Sequence, residues 1–170
     1  MKDSELKNLQ APLKERYRSA PGAALVTLHA EGTIGEGVSC SVQTGKTLVE
    51  AGLHPATGGS GEQACSGNML LEALVACAGV TLNAVATSLA LPVRGARVRA
   101  EGDLDFRGTL GVEKNVPVGF HDIRLIFDIE GKLTNEQRAT LQRLTERYCV
   151  VFQTLRNSPQ MIVHFNEAEA

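Results

Sequence analysis

The longest apolar stretch of the chain runs from Ser66 to Leu91 and carries large hydrophobic residues on nearly every side. This pattern predicts a long helix that is buried by its surroundings, and not an amphipathic surface helix. Ser66 is the expected N-cap, because its hydroxyl can accept a hydrogen bond from the first turn. Pro92 lacks an N–H group, so the helix should end just before it. Cys77 lies at its middle between small residues, which would let a ligand approach the sulfur.

Alternating hydrophobic and polar residues predict the strands around this helix. We expect an amphipathic helix near residues 4–18, three strands, a glycine-rich loop over residues 51–65, the central helix, two strands, a second long helix and a last strand. The capping box Thr134–Gln137 starts the second helix, which should end near Asn157 and hold Cys149 in its middle. The predicted strands lie at residues 25–29, 38–43, 47–49, 97–106, 122–129 and 161–165.

Composition and charge narrow the class of protein. A length of 170 residues is typical of a single domain, so we predict one domain over residues 1–170, of which 1–22 is a helical extension. The net charge is −2, with 17 basic against 19 acidic residues, so we expect no nucleic-acid partner. The N-terminal residues mix charges throughout and lack the apolar region of a signal peptide. Polar residues such as Glu72 interrupt the central helix, so we expect no membrane segment. Without a secretory signal, we expect a cytoplasmic protein.

Four cysteines, at positions 40, 65, 77 and 149, carry the candidate chemistry. They form no CxxC motif and no zinc-like pairing with the four histidines, so we expect neither a metal nor a cofactor. Cys40 should face inward from a strand. Cys77 and Cys149 each lie in a predicted long helix, and their sulfurs could meet if the two helices pack side by side. The alternative interpretation of each is a buried small hydrophobic residue.

If the two sulfurs meet, the chemistry that they suggest is peroxide reduction. A thiolate at Cys77 would attack a peroxide oxygen, and the resulting sulfenic acid would condense with Cys149. Such a thiol needs a lowered pKa, and no cationic residue lies next to either cysteine in the sequence. The loop and the central helix add three polar candidates for a substrate site, Cys65, His54 and Glu72. The alternative interpretations are that Cys65 is a thiol without a role, that His54 is a solvated loop histidine, and that Glu72 is a nearly buried carboxylate paired with an arginine.

Two segments, CSGNMLLEALVACAGVTL and RYCVVFQTL, resemble the OsmC/Ohr superfamily of thiol-dependent hydroperoxide reductases, and the resemblance covers residues 24–165. It implies an α+β fold in which antiparallel sheets wrap around two long helices. It also implies an intertwined homodimer with active sites between the subunits. Cys77 matches the peroxidatic cysteine of the family and Cys149 its resolving cysteine. The implied substrate is an organic hydroperoxide, and the implied reductant is a lipoyl-type dithiol.

Three positions depart from the pattern of the family. Ser66-Gly67 stands where the reductases usually have a Pro-Glu pair, whose Glu holds a catalytic Arg. Glu31-Gly32-Thr33 stands in the hairpin that usually supplies this Arg. Val150 stands where a Pro usually follows the resolving cysteine.

These departures leave the activating cation to come from elsewhere in the chain. We expect it to be Arg18 or Arg16, in preference to Arg147, because the N-terminal extension should approach the central helix of a partner. Two functions stay open on the sequence. The first is a cysteine-based peroxidase, and the second is a dimer that binds a small apolar or electrophilic ligand with little turnover.

Overall fold

The structure, a computed structural model, describes residues 4, 8, 10–12, 15, 19–20, 32–34, 39–44, 47–111 and 113–166. The strands and helices of these residues are, in chain order, β1 (Gly32–Ile34), β2 (Ser39–Thr44), β3 (Thr47–Gly52), β4 (Ala64–Cys65), α1 (Ser66–Ser88), β5 (Val93–Asp103), α2 (Phe106–Thr109), β6 (Asp122–Gly131), α3 (Asn135–Tyr148) and α4 (Val150–Arg156). A single turn of 3₁₀ helix, Pro55–Thr57, lies between β3 and β4.

Part of the predicted N-terminal region lies outside the described residues. Those that are described between residues 4 and 19 are helical, as predicted. The predicted strand at 25–29 and the side chains of Arg16 and Arg18 lie outside the described residues. The division into one domain with a helical extension at 1–22 stays a prediction.

The strands form two sheets. β1, β2 and β3 pair in antiparallel order, and β4 runs parallel to β3. β5 and β6 form an antiparallel pair, in which Val98 lies opposite Phe127 and Ala100 opposite Leu125. These residues line the face that packs on α1. The opposite face is charged, with ion pairs such as Arg99 to Asp128 at 3.1 Å, so the predicted wet side is confirmed.

Two strand boundaries differ from the prediction. β5 ends at Asp103, so Leu104 and Phe106 do not continue it. The reason is that the Asp105 carboxylate accepts a hydrogen bond from the Arg107 N–H (3.0 Å) and caps the short helix α2. The loop over residues 51–65 is also shorter than predicted, because β3 extends to Gly52 and β4 forms at its end.

Helix α1 packs against β5 and against both α3 and α4, and its buried residues form two hydrophobic clusters. One cluster joins Leu82, Val85 and Ala86 to Leu141 of α3. The other joins Leu74 and Ala78 to Cys149, at the end of α3. By length and composition α1 is the one described helix that could cross a membrane, but a core helix passes the same test. One side of α1 packs against β5, α3 and α4, but only 22 % of its apolar window is buried and Val80 is 72 % exposed, so within the described residues the prediction that its surroundings bury it on nearly every side is wrong.

Both ends of α1 differ from the prediction. Cys65, not Ser66, is the N-cap residue, and it makes no side-chain capping hydrogen bond. The helix ends at Ser88 and does not continue to the residue before Pro92, because a Schellman motif ends it. In this motif the Leu91 N–H donates to the Ala86 carbonyl (2.9 Å), and Ala90 adopts the left-handed region with φ of 49°.

The predicted second long helix is two helices. The capping box is confirmed, since the Thr134 hydroxyl accepts from the Gln137 N–H (3.2 Å) and the Gln137 side chain accepts from the Thr134 N–H (3.0 Å). The helix then breaks at Cys149, whose ψ of 107° is extended. Cys149 therefore lies at a junction between α3 and α4, and the prediction that it lies in mid-helix is wrong.

The predicted last strand at 161–165 is absent from the described chain. This segment has no regular secondary structure, and its hydrophobic side chains are exposed, Phe165 to 96 %. A strand needs a neighbour for its backbone hydrogen bonds, and the described part of this chain offers the segment none. His164, which falls within this predicted strand, therefore lies in an irregular segment.

Candidate functional site

The break between α3 and α4 places Cys149 against the middle of α1. The Cys149 side chain is buried, with 1 % exposure, and it packs with Leu74 and Ala78. Cys77 lies on the same side of α1, packs against this cluster and is only half-buried. The structure therefore confirms that the two helix cysteines meet, and it leaves Cys77 as the more accessible sulfur of the two.

Backbone N–H groups at the start of α4 lower the pKa of the Cys77 thiol. Burial alone would raise the pKa of this thiol. Hydrogen bonds from the Val151 N–H, the Cys149 thiol and the Val150 N–H outweigh burial, so the pKa of Cys77 lies below its ordinary value. The Thr81 hydroxyl, which also donates to the Cys77 carbonyl at 2.8 Å, adds to this lowering. Such donors stabilise the thiolate, which is the nucleophilic form.

The pKa of the Cys149 thiol is shifted in the opposite direction. Burial raises the pKa of Cys149, and the neighbouring Cys77 raises it further, although the Phe152 N–H opposes both. The pair therefore consists of an accessible sulfur that ionises first and a buried thiol that keeps its proton. This is the arrangement in which Cys77 can attack an oxidant and Cys149 can react with the oxidised product.

The groups that lower the pKa of Cys77 are all hydrogen-bond donors. None of the groups that shift the pKa of Cys77 among the described residues is a cation. Arg16 and Arg18 lie outside the described residues, so their role stays a prediction. The helix break was the feature that sequence reasoning missed. One signal was present, because Cys149, Val150 and Val151 are three successive residues of weak helix propensity.

Two cavities flank the thiol pair. One of about 530 Å³ lies beside the turn of α1 that follows Cys77 and is lined by residues that include Val80, Thr81 and Leu144. The other, of about 470 Å³, is a groove beside Cys149, which we call the α3–α4 groove; its lining includes Arg147, Tyr148, Cys149, Val150, Gln153 and Asn157. The first cavity offers apolar surface within one helical turn of Cys77.

Cys65 and His54 line the same cavity but lie far from the thiol pair. They line a third cavity, of about 320 Å³, at the N-terminal end of α1. The His54 ring stacks on Phe106 with centroids 4.9 Å apart, and its Nδ1 accepts a hydrogen bond from the Ala56 N–H (3.1 Å). Cys65 precedes Cys77 by twelve residues, which is roughly 18 Å along a helix. Their predicted contribution to a substrate site at Cys77 stays a prediction.

Glu72 is exposed on α1, so the expectation of a nearly buried carboxylate is wrong. The physical reason is that the side of α1 that carries Glu72 is not covered by another described element. Water can therefore solvate the charge, and the carboxylate needs no arginine partner. Its role in binding a substrate also stays a prediction. Among the described residues no group of three His, Cys, Asp or Glu side chains lies close enough to hold a metal ion.

Comparison with known proteins identifies the family. The family of OsmC-like proteins matches residues 59–164, which is more than half of the chain. Comparison of the sequence with curated proteins gives no significant match.

Solved structures of low sequence identity share the fold. An OsmC-like protein from Mycoplasma pneumoniae is 16 % identical, with a TM-score of 0.65 over 78 % of this chain and 89 % of its own. An organic hydroperoxide resistance protein from Elizabethkingia anophelis is 20 % identical, with a TM-score of 0.64 over 79 % and 91 %. One from Legionella pneumophila is 18 % identical, with a TM-score of 0.62 over 79 % and 92 %. The chain has the α+β fold of these proteins and belongs to the OsmC/Ohr superfamily.

Proposed function

We propose that this protein is a thiol peroxidase that reduces organic hydroperoxides, with Cys77 as the peroxidatic and Cys149 as the resolving cysteine. The observation that carries the proposal is the contact between two thiols whose pKa values are shifted in opposite directions. Membership of a superfamily with hydroperoxide resistance proteins among its solved structures supports the same chemistry. Free thiols of this kind suit a reducing compartment such as the cytoplasm.

The reaction would proceed in three balanced steps. The Cys77 thiolate attacks the terminal oxygen of the hydroperoxide, the O–O bond breaks, and the alkoxide takes a proton and leaves as an alcohol. The sulfur of Cys149 then attacks the Cys77 sulfenic acid, and water leaves as the disulfide forms. A dithiol reductant returns two electrons and two protons, which restores both thiols and leaves the reductant as a disulfide.

Mass spectrometry after mild oxidation tests this proposal. One equivalent of cumene hydroperoxide should convert wild-type protein to a form with a Cys77–Cys149 disulfide, found by peptide mapping. Cys149→Ser should instead stop at a sulfenic acid on Cys77 that a dimedone probe traps, and it should not turn over. Cys65→Ser should behave like wild type. Thiols that stay unmodified, under conditions that oxidise a reference peroxidase, would rule the proposal out.

One observation favours the second candidate function, a dimer that binds a small apolar or electrophilic ligand with little turnover. Hydrogen-bond donors stabilise the Cys77 thiolate, and among the described residues no cation does so. A neutral donor stabilises a charge less than a cation does, so the thiol could be too weakly activated for turnover. The same oxidation experiment separates the two functions, because a binding protein would keep both thiols reduced.

We also propose that the protein is a homodimer, with α1 facing its partner. Leu70, Ala73, Ala76 and Val80 lie along one side of α1 and are exposed, Val80 to 72 %. An exposed apolar face of this kind usually marks an interface. Cys77 is half-buried and lies between this exposed side and the buried side that carries Leu74 and Ala78, so a partner on the exposed side would border the thiol pair. Sedimentation equilibrium at micromolar concentration should give twice the mass of one chain; a stable folded monomer would contradict the proposal.

A further inference from the structure

Helix α1 carries one acidic residue, and this residue has no ion-pair partner among the described residues. It is Glu72, which is exposed and lies in the N-terminal half of the helix. Ala76, Gly79 and Asn83 follow Glu72 by four, seven and eleven positions, so they continue the same side of the helix for about three turns. A carboxylate therefore stands near the start of this side of α1.

The C-terminal half of the same side faces an arginine of the sheet. The register of β5 against β6 shifts between Val93 and Gly95, so Arg94 is an extra residue at a β-bulge. Arg94 lines a cleft of about 360 Å³ between β5 and α1, together with Gly79 and Asn83, and it is the one charged residue of the described lining. It makes no ion pair with a described carboxylate. A cation therefore stands near the other end of this side of α1.

Within one chain the two charges stay apart. Glu72 precedes Gly79 and Asn83 by seven and eleven residues, which is about 10–16 Å along the helix. An ion pair needs its nitrogen and oxygen atoms within about 4 Å of each other. The single chain thus presents two opposite charges on one side of one helix, and neither neutralises the other.

Two-fold symmetry would bring the opposite charges together. Helix α1 runs from Ser66 to Ser88, so Cys77 is its central residue. In a two-fold dimer, residue i of one chain meets residue j of its partner, and j meets i. Where two antiparallel α1 helices cross near their centres, the partner's Glu72, five residues before the centre, reaches the level of Leu82, five residues after it. Leu82 lines the cleft that contains Arg94.

A partner on this side of α1 would also make such a pairing necessary. In the single chain, water solvates the Glu72 carboxylate. A second copy that covers the exposed apolar residues beside it, such as Ala73 and Val80, would remove part of this water. A carboxylate that loses water needs a cation or hydrogen-bond donors in exchange. The unpaired Arg94 of the partner subunit offers that cation, once at each end of the two-fold contact.

We propose that α1 packs antiparallel against α1 of a second copy of this chain, and that Glu72 of each chain forms an ion pair with Arg94 of the partner subunit. This inference rests on the proposed homodimer and is independent of the proposed peroxidase chemistry. The two ion pairs fix the register of the two helices. They thereby fix which residues of the partner border the thiol pair at the centre of α1.

Charge reversal in two separate chains tests this inference. In dimers of Glu72→Arg alone, or of Arg94→Glu alone, each proposed contact joins like charges. In a mixed dimer of the two variants, each contact joins opposite charges again. Native mass spectrometry of co-refolded chains, one of them tagged, should find about 80 % mixed dimers at low salt, against the half that random pairing gives. The excess should disappear in about 0.5 M salt, because the pairs lie at the rim of the contact.

A control pair of variants carries the same change of net charge at other positions. Glu62→Arg lies in the loop before α1, and Arg97→Glu lies on the charged face of the β5–β6 pair; both residues are exposed. These two chains should pair at random. Equal shares of mixed dimers in the test pair and the control pair would overturn the inference. An ion pair within one chain would also give equal shares, since mixing chains does not restore it.

Neutral variants keep the test decisive if circular dichroism shows that a charge-reversed chain does not fold. Glu72→Gln and Arg94→Gln should each raise the dissociation constant of the dimer about two- to tenfold, measured by sedimentation equilibrium. The double variant should raise it no further, because the second substitution acts on a pair that is already broken. Effects that multiply in the double variant would overturn the inference.

The outcomes separate the ion pairs from the homodimer and from the chemistry. A wild-type chain that stays monomeric refutes the homodimer and this inference together. A wild-type dimer whose charge-reversed chains pair at random refutes the inference alone. Peroxidase activity enters neither measurement, so a failure of the proposed chemistry leaves both results standing.

Discussion

The helix α1 carries one thiol site at its middle and another at its N-terminal end, and the two differ in what surrounds the sulfur. Cys77 meets a second sulfur and the N–H groups at the start of α4. Cys65 lines an open cavity with an imidazole and aromatic rings, and no second cysteine lines that cavity. In the sequence both residues were candidates for the site, Cys77 as the attacking thiol and Cys65 as part of a substrate site. The comparison teaches that neighbours brought by other elements, and not the helix itself, equip a thiol for two-step redox chemistry.

The two sites also differ in how they are packed. The cluster at the middle of α1 contains Leu74, Ala78 and Cys149, each with at most 1 % exposure. The cavity at the end of α1 is lined by half-buried residues such as Leu71 and Phe120. A tightly packed cluster holds the two sulfurs in a fixed relation, which a disulfide requires because its geometry is narrow.

The largest effect should come from replacing Cys77 by serine, and the same substitution at Cys65 tests the comparison. Cys77→Ser should abolish thiol-dependent loss of cumene hydroperoxide, because a serine hydroxyl is not ionised at neutral pH and cannot attack the peroxide. Cys65→Ser should retain the wild-type rate, since its cavity has no resolving thiol. A coupled peroxidase assay measures both. The comparison fails if Cys65→Ser loses activity as completely as Cys77→Ser does.

A smaller effect, on stability, should distinguish the packing of the two sites. Leu74→Ala removes a side chain with 1 % exposure and should lower the free energy of unfolding by about 2–5 kcal/mol. Leu71→Ala, at the half-open cavity, should cost less, about 1–2 kcal/mol, because water can enter the space. Urea denaturation followed by circular dichroism gives both values. Equal losses would mean that the two regions are packed alike.

The smallest effect concerns one backbone donor at the thiol pair. Val150 is the first residue of α4 and its N–H lowers the pKa of Cys77. Val150→Pro deletes this N–H at a helical position that accepts proline, and the extended Cys149 before it already has a suitable conformation. The pKa of Cys77 should therefore rise, and its alkylation by iodoacetamide should move to higher pH. Val150→Ala keeps the N–H and is the matched control.

The lowered pKa of Cys77 also makes the stability of the fold depend on pH. The folded-state pKa of Cys77 is below its ordinary value, so ionisation stabilises the fold above that ordinary value, and this contribution is lost as the pH falls through the folded-state pKa.

Alkylation midpoints that coincide for Val150→Pro and Val150→Ala would exclude the Val150 N–H as a source of the lowered pKa of Cys77. In the same assay, a midpoint moved by Arg16→Ala or Arg18→Ala would support the predicted cation from the N-terminal extension.

Local sequence signals were sufficient for most of the elements. The apolar run of α1, the alternation in β5 and β6 and the Thr134 capping box each depend on residues close together in the chain. Periodicity and capping chemistry act over a few residues, so they can be read before the fold is known. The resemblance around Cys77 and Cys149 likewise identified the superfamily correctly.

The contacts between distant segments were decided by the tertiary structure. Whether Cys149 would meet Cys77, and whether Cys65 would not, depends on how α1 packs against the junction of α3 and α4. The sequence predicted one continuous helix there, because the apolar residues keep their spacing across Cys149. In the fold this residue is extended, and the N–H groups freed by the break stabilise the Cys77 thiolate. A helix break depends on packing against other elements as well as on local propensity, so only the assembled chain determines which backbone groups the Cys77 sulfur meets.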